Sequence, residues 1–196
     1  AGFGTVVHES IRRLYTGIAQ GEEPVITARK LQSLLKSPEP RTVLERSFME
    51  HHFKGDRHAR IEGRNIIIFR VMLKYLHKIL ETDLQMAPFE LVSAEKHYKR
   101  SLSVVSWGRS RTILLGGKID RVDRRDGQLR VIDYKTGNAS HRFSGVGSLF
   151  DADSRNRNGA AMQVLFYAWL VSAQHSGERI RPGLYVIREL YAKVFD

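Results

Sequence analysis

The chain has 196 residues, enough for one domain with a sizeable core, and its 42% hydrophobic and 27% charged residues are ordinary for a globular protein. Lys and Arg number 32 against 21 Asp and Glu, a net charge of +11 that favours polyanionic partners, nucleic acid first. With no cysteine, the composition excludes disulfides, thiolate zinc sites, iron–sulfur clusters and cysteine nucleophiles. No apolar run is long enough to span a membrane and no signal peptide is legible, so a cytoplasmic location is the expectation. The missing initial Met and the stop at Asp196 soon after a strand-like run suggest a domain excised from a larger protein.

Val6, Val7, Ile11, Leu14, Tyr15 and Ile18 recur at helical spacing behind Thr5, which reads as an N-cap. Thr27 is placed to cap a short helix carrying Leu31, Leu34 and Leu35, and residues 38–53 read as a helix with proline in its first turn. A longer helix is expected from about Ile61 to Leu84, ended by Pro88. Strand patterning then takes over, across residues 89–105, 112–122 and 129–135. Residues 136–159, rich in Gly, Ser, Asn and Arg, read as a long mobile loop. A helix over about 160–174 and a strand over 183–187 follow. With no internal repeat, linker or second domain visible, residues 1–196 are expected to form a single α/β (α+β) domain, an antiparallel β series flanked by helices.

The most informative stretch runs from Gly116 to Lys135. Asp126-Gly127 between two alternating runs is a strong hairpin signal. A turn centred there sets Asp120 directly opposite Asp133, and Lys135 opposite Lys118 on the same face. Ile119, Arg121, Ile132 and Tyr134 fall on the other face, which suits packing. Directly opposed Cβ atoms sit roughly 4.5–5.5 Å apart, and like charges placed there are destabilising. A divalent cation gives such a pair a reason to exist, because Mg²⁺ prefers oxygen ligands and keeps positions open for water and phosphate. The competing reading is an exposed sheet face of Asp–Lys pairs.

At these residues the chain resembles the PD-(D/E)XK nuclease superfamily, and within it the nuclease domains of the RecB exonuclease family. Gly4-Thr5-Val6-Val7-His8 is similar to an N-terminal motif whose helix-borne histidine is a metal ligand. Gly117-Lys118-Ile119-Asp120-Arg121 matches the motif of the first acidic ligand. Ile132-Asp133-Tyr134-Lys135-Thr136-Gly137 matches the core with the second acid and the lysine, and Gln163-Val164-Leu165-Phe166-Tyr167 the helix beside the site. The ordered set, with Asp120 and Asp133 13 residues apart, is more specific than any piece.

The resemblance implies a restriction-endonuclease-like mixed sheet with an antiparallel hairpin core flanked by helices. It implies metal binding by His8, Asp120, Asp133 and the Tyr134 carbonyl, and a Lys135 that activates water or stabilises the transition state. Gln163 and Tyr167 would touch the lysine or the DNA backbone, and Glu95 would support the metal or bind a second one. Mg²⁺ (or Mn²⁺) is the implied cofactor. No iron–sulfur cluster is expected, since the chain lacks the cysteines that hold one in several relatives, and this places it near the cluster-free RecB branch. The expected activity is metal-dependent DNA hydrolysis, as an exonuclease in repair or recombination, with a helicase domain or subunit as partner. No membrane partner and no small-molecule cofactor beyond the metal is implied. A catalytically silent DNA-binding module of a helicase–nuclease complex and a site-specific endonuclease are the rivals. Arg121, Arg124 and Arg125 are expected to meet phosphates, while His51, His52 and His58 read as surface residues.

Overall fold

A computed structural model of the chain describes residues 2–20, 24–56, 58–151 and 157–191. The apolar periodicity of the first half becomes four helices. Helix α1 (Phe3–Ile18) buries Val6, Val7, Ile11, Leu14 and Tyr15 along one stripe. It begins before Thr5, with Gly2 at the N-cap and no side-chain cap, so Thr5 lies inside the first turn. Thr27 does cap α2 (Ala28–Lys36), accepting from Lys30 N. Helix α3 (Glu39–His51) starts behind Pro38, and α4 (Arg64–Met86) is the long helix expected before Pro88. Among the described residues no helix is long and apolar enough to cross a membrane.

Five strands follow in the sheet order β1-β2-β3-β4-β5. They are β1 (Val25–Ile26), β2 (Phe89–Ser106), β3 (Arg109–Arg125), β4 (Gln128–Lys135) and β5 (Ile180–Val186). The first four pair antiparallel, and β5 joins β4 in parallel after α5 (Gly159–Ser172). A short helix α6 (Ile187–Leu190) ends the described chain. The result is a mixed α/β fold with helices on both faces of a mixed sheet, matching the restriction-endonuclease-like expectation. β3 extends further than the sequence pattern indicated, because its turn with β2 is Trp107-Gly108, with φ of 53° and 71°. Of the expected loop over 136–159, residues 152–156 lie outside the described residues. The rest is partly anchored: Leu149 is buried, and Asn158 caps α5 while donating to the carbonyls of Ser140 and Arg142.

Two cores sandwich the sheet. One joins α1, α2, α3 and α4 to Phe89, Leu91, Ile132, Tyr134 and Tyr185; the other joins α5 to Tyr98, Ile119, Val122, Leu129 and Val131. Ile119 therefore parts company with Arg121, Ile132 and Tyr134, with which simple alternation had grouped it. β2 and β3 lose regular pairing between the Ala94–Arg121 and Lys96–Ile119 positions, where Glu95 has a left-handed φ of 52°.

Arg121 is buried within the first core, 1% exposed. Its NH1 donates to Asp83 Oδ2 at 2.6 Å and to the Tyr134 hydroxyl at 2.8 Å, and its NH2 to Asp83 Oδ1 at 3.0 Å. Tyr15 and Tyr185 add hydroxyl donors to Asp83. The guanidinium lies 5.0–5.7 Å from the rings of Tyr15, Phe89, Tyr134 and Tyr185. Nearby, Asp123 receives Arg130 through a two-pronged pair at 2.6 and 3.0 Å. The expected phosphate contact of Arg121 is thus corrected: its charge is spent inside the protein.

Burial alone would raise the Asp83 pKa, but the Arg121 charge and the hydrogen bonds from Arg121, Tyr15 and Tyr185 hold it below the usual carboxylate range. A folded-state pKa below the unfolded value gives stability that is present above about pH 4 and lost as pH falls further. Asp83→Asn leaves buried Arg121 only Asp123, which it shares with Arg130, as a counter-charge and should cost about 3–5 kcal/mol in urea unfolding at pH 7. The mutant should also lose the part of the wild-type acid sensitivity below about pH 4 that Asp83 causes. Equal stability of the two proteins at pH 7 would contradict the structural role given to this pair.

Candidate active site

The register expected from the turn is the one observed. Arg121 pairs with Ile132 and Arg125 with Gln128 across β3 and β4. The intervening Asp126 and Gly127 have φ of 50° and 71°, the two left-handed positions of a type I′ turn. Continuing that register by one residue sets Asp120 opposite Asp133. On its other flank Asp120 faces Glu95, which lies between the paired positions of β2. Glu95, Asp120 and Asp133 therefore form a row across three adjacent strands. The left-handed backbone at Glu95 costs a non-glycine residue roughly 1–2 kcal/mol, a strain of the kind retained where it aims a functional side chain.

Helix α1 brings His8 to this row from more than 100 residues away, held by Val6 and Val7 in the core beneath it. His8 Nδ1 lies 3.2 Å from Asp120 Oδ1 and 3.6 Å from Glu95 Oε1. Its Nε2 donates to the Tyr134 carbonyl at 3.0 Å, and the Tyr134 N–H donates to Asp120 Oδ2 at 2.8 Å. Burial would lower the His8 pKa, but hydrogen bonding to Asp120 and Glu95 and their charges win, pushing it up to about 10. The two carboxylates demand positive charge at this point. Asp133, nearly buried, has its pKa raised by desolvation and then by the Asp120 charge, against the opposing Lys135 and His8.

One donor atom each from His8, Glu95 and Asp120 lies within 4.8 Å of the others. Ligands at about 2.0–2.1 Å from a common cation stand about 3 Å apart when adjacent and about 4.2 Å apart when opposed, so the spacing suits one hard divalent ion. The donor set, two carboxylates with an imidazole, suits it chemically. The third close donor here is Glu95, where the sequence pattern had put Asp133. Asp133 Oδ2 sits instead 2.9 Å from Lys135 Nζ without a well-formed hydrogen bond, a buried oxygen with spare acceptor capacity.

Lys135 is tied into a chain of contacts. Its Nζ donates to Gln163 Oε1 at 2.5 Å, and Gln163 Nε2 donates to the Tyr167 hydroxyl at 2.8 Å. Gln163 and Tyr167 are one turn apart on α5 and so share a face. That helix can approach because residue 117 is glycine: a Cβ there would lie 2.7 Å from Tyr167 Cε1. The glycine ahead of Asp120 thus has a steric reason.

Lys118, which the hairpin register puts on this face but to which the sequence assigns no role, pairs its ammonium with Glu95. His51, read as a surface residue, lines a cleft of about 320 Å³ with Gly4, Thr5, His8, Glu9, Glu95 and Lys118. His52 is also partly buried, against Phe48 and Asn65, whereas His58 is exposed as expected. Arg124 is engaged by Glu90 and Glu178, and Arg125 by Asp126 at the turn. Both lie about five strand residues from Asp120, about 15 Å along β3, so neither reaches the acidic row.

No relative among curated proteins matches the chain. The family model described as the PD-(D/E)XK nuclease superfamily matches residues 1–195, nearly the whole sequence. The class of activity that this brings is nucleolytic hydrolysis supported by divalent metals, which agrees with the donor set around His8. On that match the chain belongs to the PD-(D/E)XK nuclease superfamily.

Proposed function

We propose that the protein is a Mg²⁺- or Mn²⁺-dependent deoxyribonuclease acting as an exonuclease of the RecB type, in DNA repair or recombination beside a helicase domain or subunit. The observation that carries the reading is the meeting of His8, Glu95 and Asp120 within bonding range of one ion, next to Asp133 and a tethered Lys135. His8, Asp120, Asp133 and the Tyr134 carbonyl are the proposed ligands, with Glu95 added to them. A bound divalent ion supplies Lewis acidity toward the scissile phosphate and a more acidic water.

The residues of the chain do the remaining work. The Tyr134 N–H holds Asp120 Oδ2, which leaves Oδ1 directed at His8. The Lys135 ammonium, fixed between Asp133 and Gln163, offers charged N–H donors to a phosphate oxygen as negative charge develops on it. Gln163, itself held by Tyr167, sets where that ammonium stands. Water oxygen bonds to phosphorus, the ester P–O bond breaks, and the departing oxygen leaves as a hydroxyl once protonated.

Two tests follow. With Mg²⁺ present, Lys135→Ala should slow single-turnover cleavage of end-labelled DNA by about 10²–10³ while leaving DNA affinity largely intact. EDTA should abolish cleavage, and closed circular DNA should resist an exonuclease. Cleavage by Lys135→Ala at the wild-type rate would sink the catalytic role, and a wild type inert with every divalent metal would make this a silent binding module. In a separate Mn²⁺ titration, Glu95→Gln and Asp133→Asn should each weaken binding at least about tenfold. Whichever variant keeps wild-type affinity marks a carboxylate that does not serve the metal.

A further inference from the structure

β3 pairs with β4 only from Arg121 onward, so the β2–β3 hairpin continues past the sheet as a two-stranded ribbon ending at Trp107-Gly108. From Lys96 through Lys118 the chain carries six Lys or Arg and no Asp or Glu. Trp107, at the tip, is 100% exposed, and Arg109 and Arg111 follow it. The two faces of the ribbon differ. Tyr98, Leu115 and Gly117 on one face are covered at least in part by α5. The other face carries His97, Lys99, Ser101 and Ser103 on β2, paired with Lys118, Gly116, Leu114 and Thr112 on β3, all exposed. Regular alternation is interrupted at Glu95 and Asp120, where the ribbon meets the acidic row. Lys118 bridges the two regions through its ion pair with Glu95.

We infer that this ribbon face is a track for single-stranded DNA leading to the acidic row, with Trp107 stacking on a base at its far end. The assignment rests on the nuclease reading above and adds where the substrate lies. On the face itself Lys99, Lys118 and the hydroxyls of Ser101, Ser103 and Thr112 suit a phosphate backbone, Arg109 and Arg111 alternate to the opposite face beside the tip, and the fully exposed indole offers a stacking platform that any base can use. Thirteen strand residues separate Asp120 from Trp107, about 40 Å, which a stacked strand covers with about a dozen nucleotides and an extended one with fewer.

The experiment is fluorescence titration of the intact protein in EDTA, so that nothing is cut, with oligothymidylates of about 3 and about 20 nucleotides. The chain has two tryptophans, and Trp169 stacks on Phe166 beneath Arg100, so a Trp169→Phe background isolates the Trp107 signal. The long oligomer should quench Trp107 at concentrations where the short one does not. Trp107→Ala should weaken binding of the long oligomer by about 5- to 150-fold, leave the short one unchanged, and be largely rescued by Trp107→Phe. Lys99→Ser should flatten the slope of log K against log salt by about 0.7. Absence of quenching, with wild-type affinity in Trp107→Ala, overturns the track even if the protein cleaves DNA. A Trp107 emission that responds to protein concentration and not to DNA overturns it in favour of a protein contact. Trp107-dependent binding in a protein that cleaves no DNA supports the track and defeats the nuclease reading alone.

Discussion

Burying a guanidinium is expensive unless it is paired and hydrogen-bonded, and Arg121 is held by gathering the protein around itself: NH1 and NH2 hydrogen-bond, while Nε lies 2.9 Å from Asp123 Oδ2 without a well-formed hydrogen bond. Asp83 comes from α4, Tyr15 from α1, Phe89 from β2, Tyr134 from β4 and Tyr185 from β5. One side chain of β3 thereby fixes the position of two helices and three other strands. The next residue back is Asp120. Tyr134, whose hydroxyl takes an Arg121 hydrogen bond, uses its backbone N–H on Asp120 and its carbonyl on His8. The buried pair and the acidic row therefore share the same strands, and the placement of α1 against the pair also delivers His8 to the row.

The two sides solve their electrostatic problems differently. In the core, Asp83 and Asp123 are matched by Arg121 and Arg130, all within the protein. At the row, Glu95, Asp120 and Asp133 meet His8, Lys118 and Lys135, and the compensation is strained: His8 is driven to hold its proton and Asp133 resists ionisation. A divalent ion placed among the same donors relieves that conflict, and exchanging the imidazole proton for it leaves the site one charge more positive. That is the right direction for receiving a phosphate.

What could be read in advance was what local chemistry decides. Asp126-Gly127 is a turn because both residues tolerate left-handed backbone, and this alone set the Asp120–Asp133 register. Thr27 capped its helix for an equally local reason. The Trp107-Gly108 turn adopts the same backbone but was passed over, since tryptophan is no turn former, and the length of the ribbon was missed with it. Arg121 was misread because its partner Asp83 is 38 residues away, and nothing near it in the sequence distinguishes a buried arginine from a solvated one. Glu95 entered only through the resemblance, as a residue that would support the metal or bind a second one. Its nearness to His8 depends on a left-handed kink in β2 and on a helix at the far end of the chain, and neither has a local signal.

The central claim is that α1 and three strands together build one cation site. Crystals soaked in Mn²⁺ and measured at its absorption edge test it most directly. The account predicts an anomalous peak bonded to His8 and Asp120, with Glu95 or Asp133 and the Tyr134 carbonyl completing the contacts on the protein side. A peak elsewhere, or His8 still on its Tyr134 hydrogen bond with no ion beside it at saturating Mn²⁺, would contradict it.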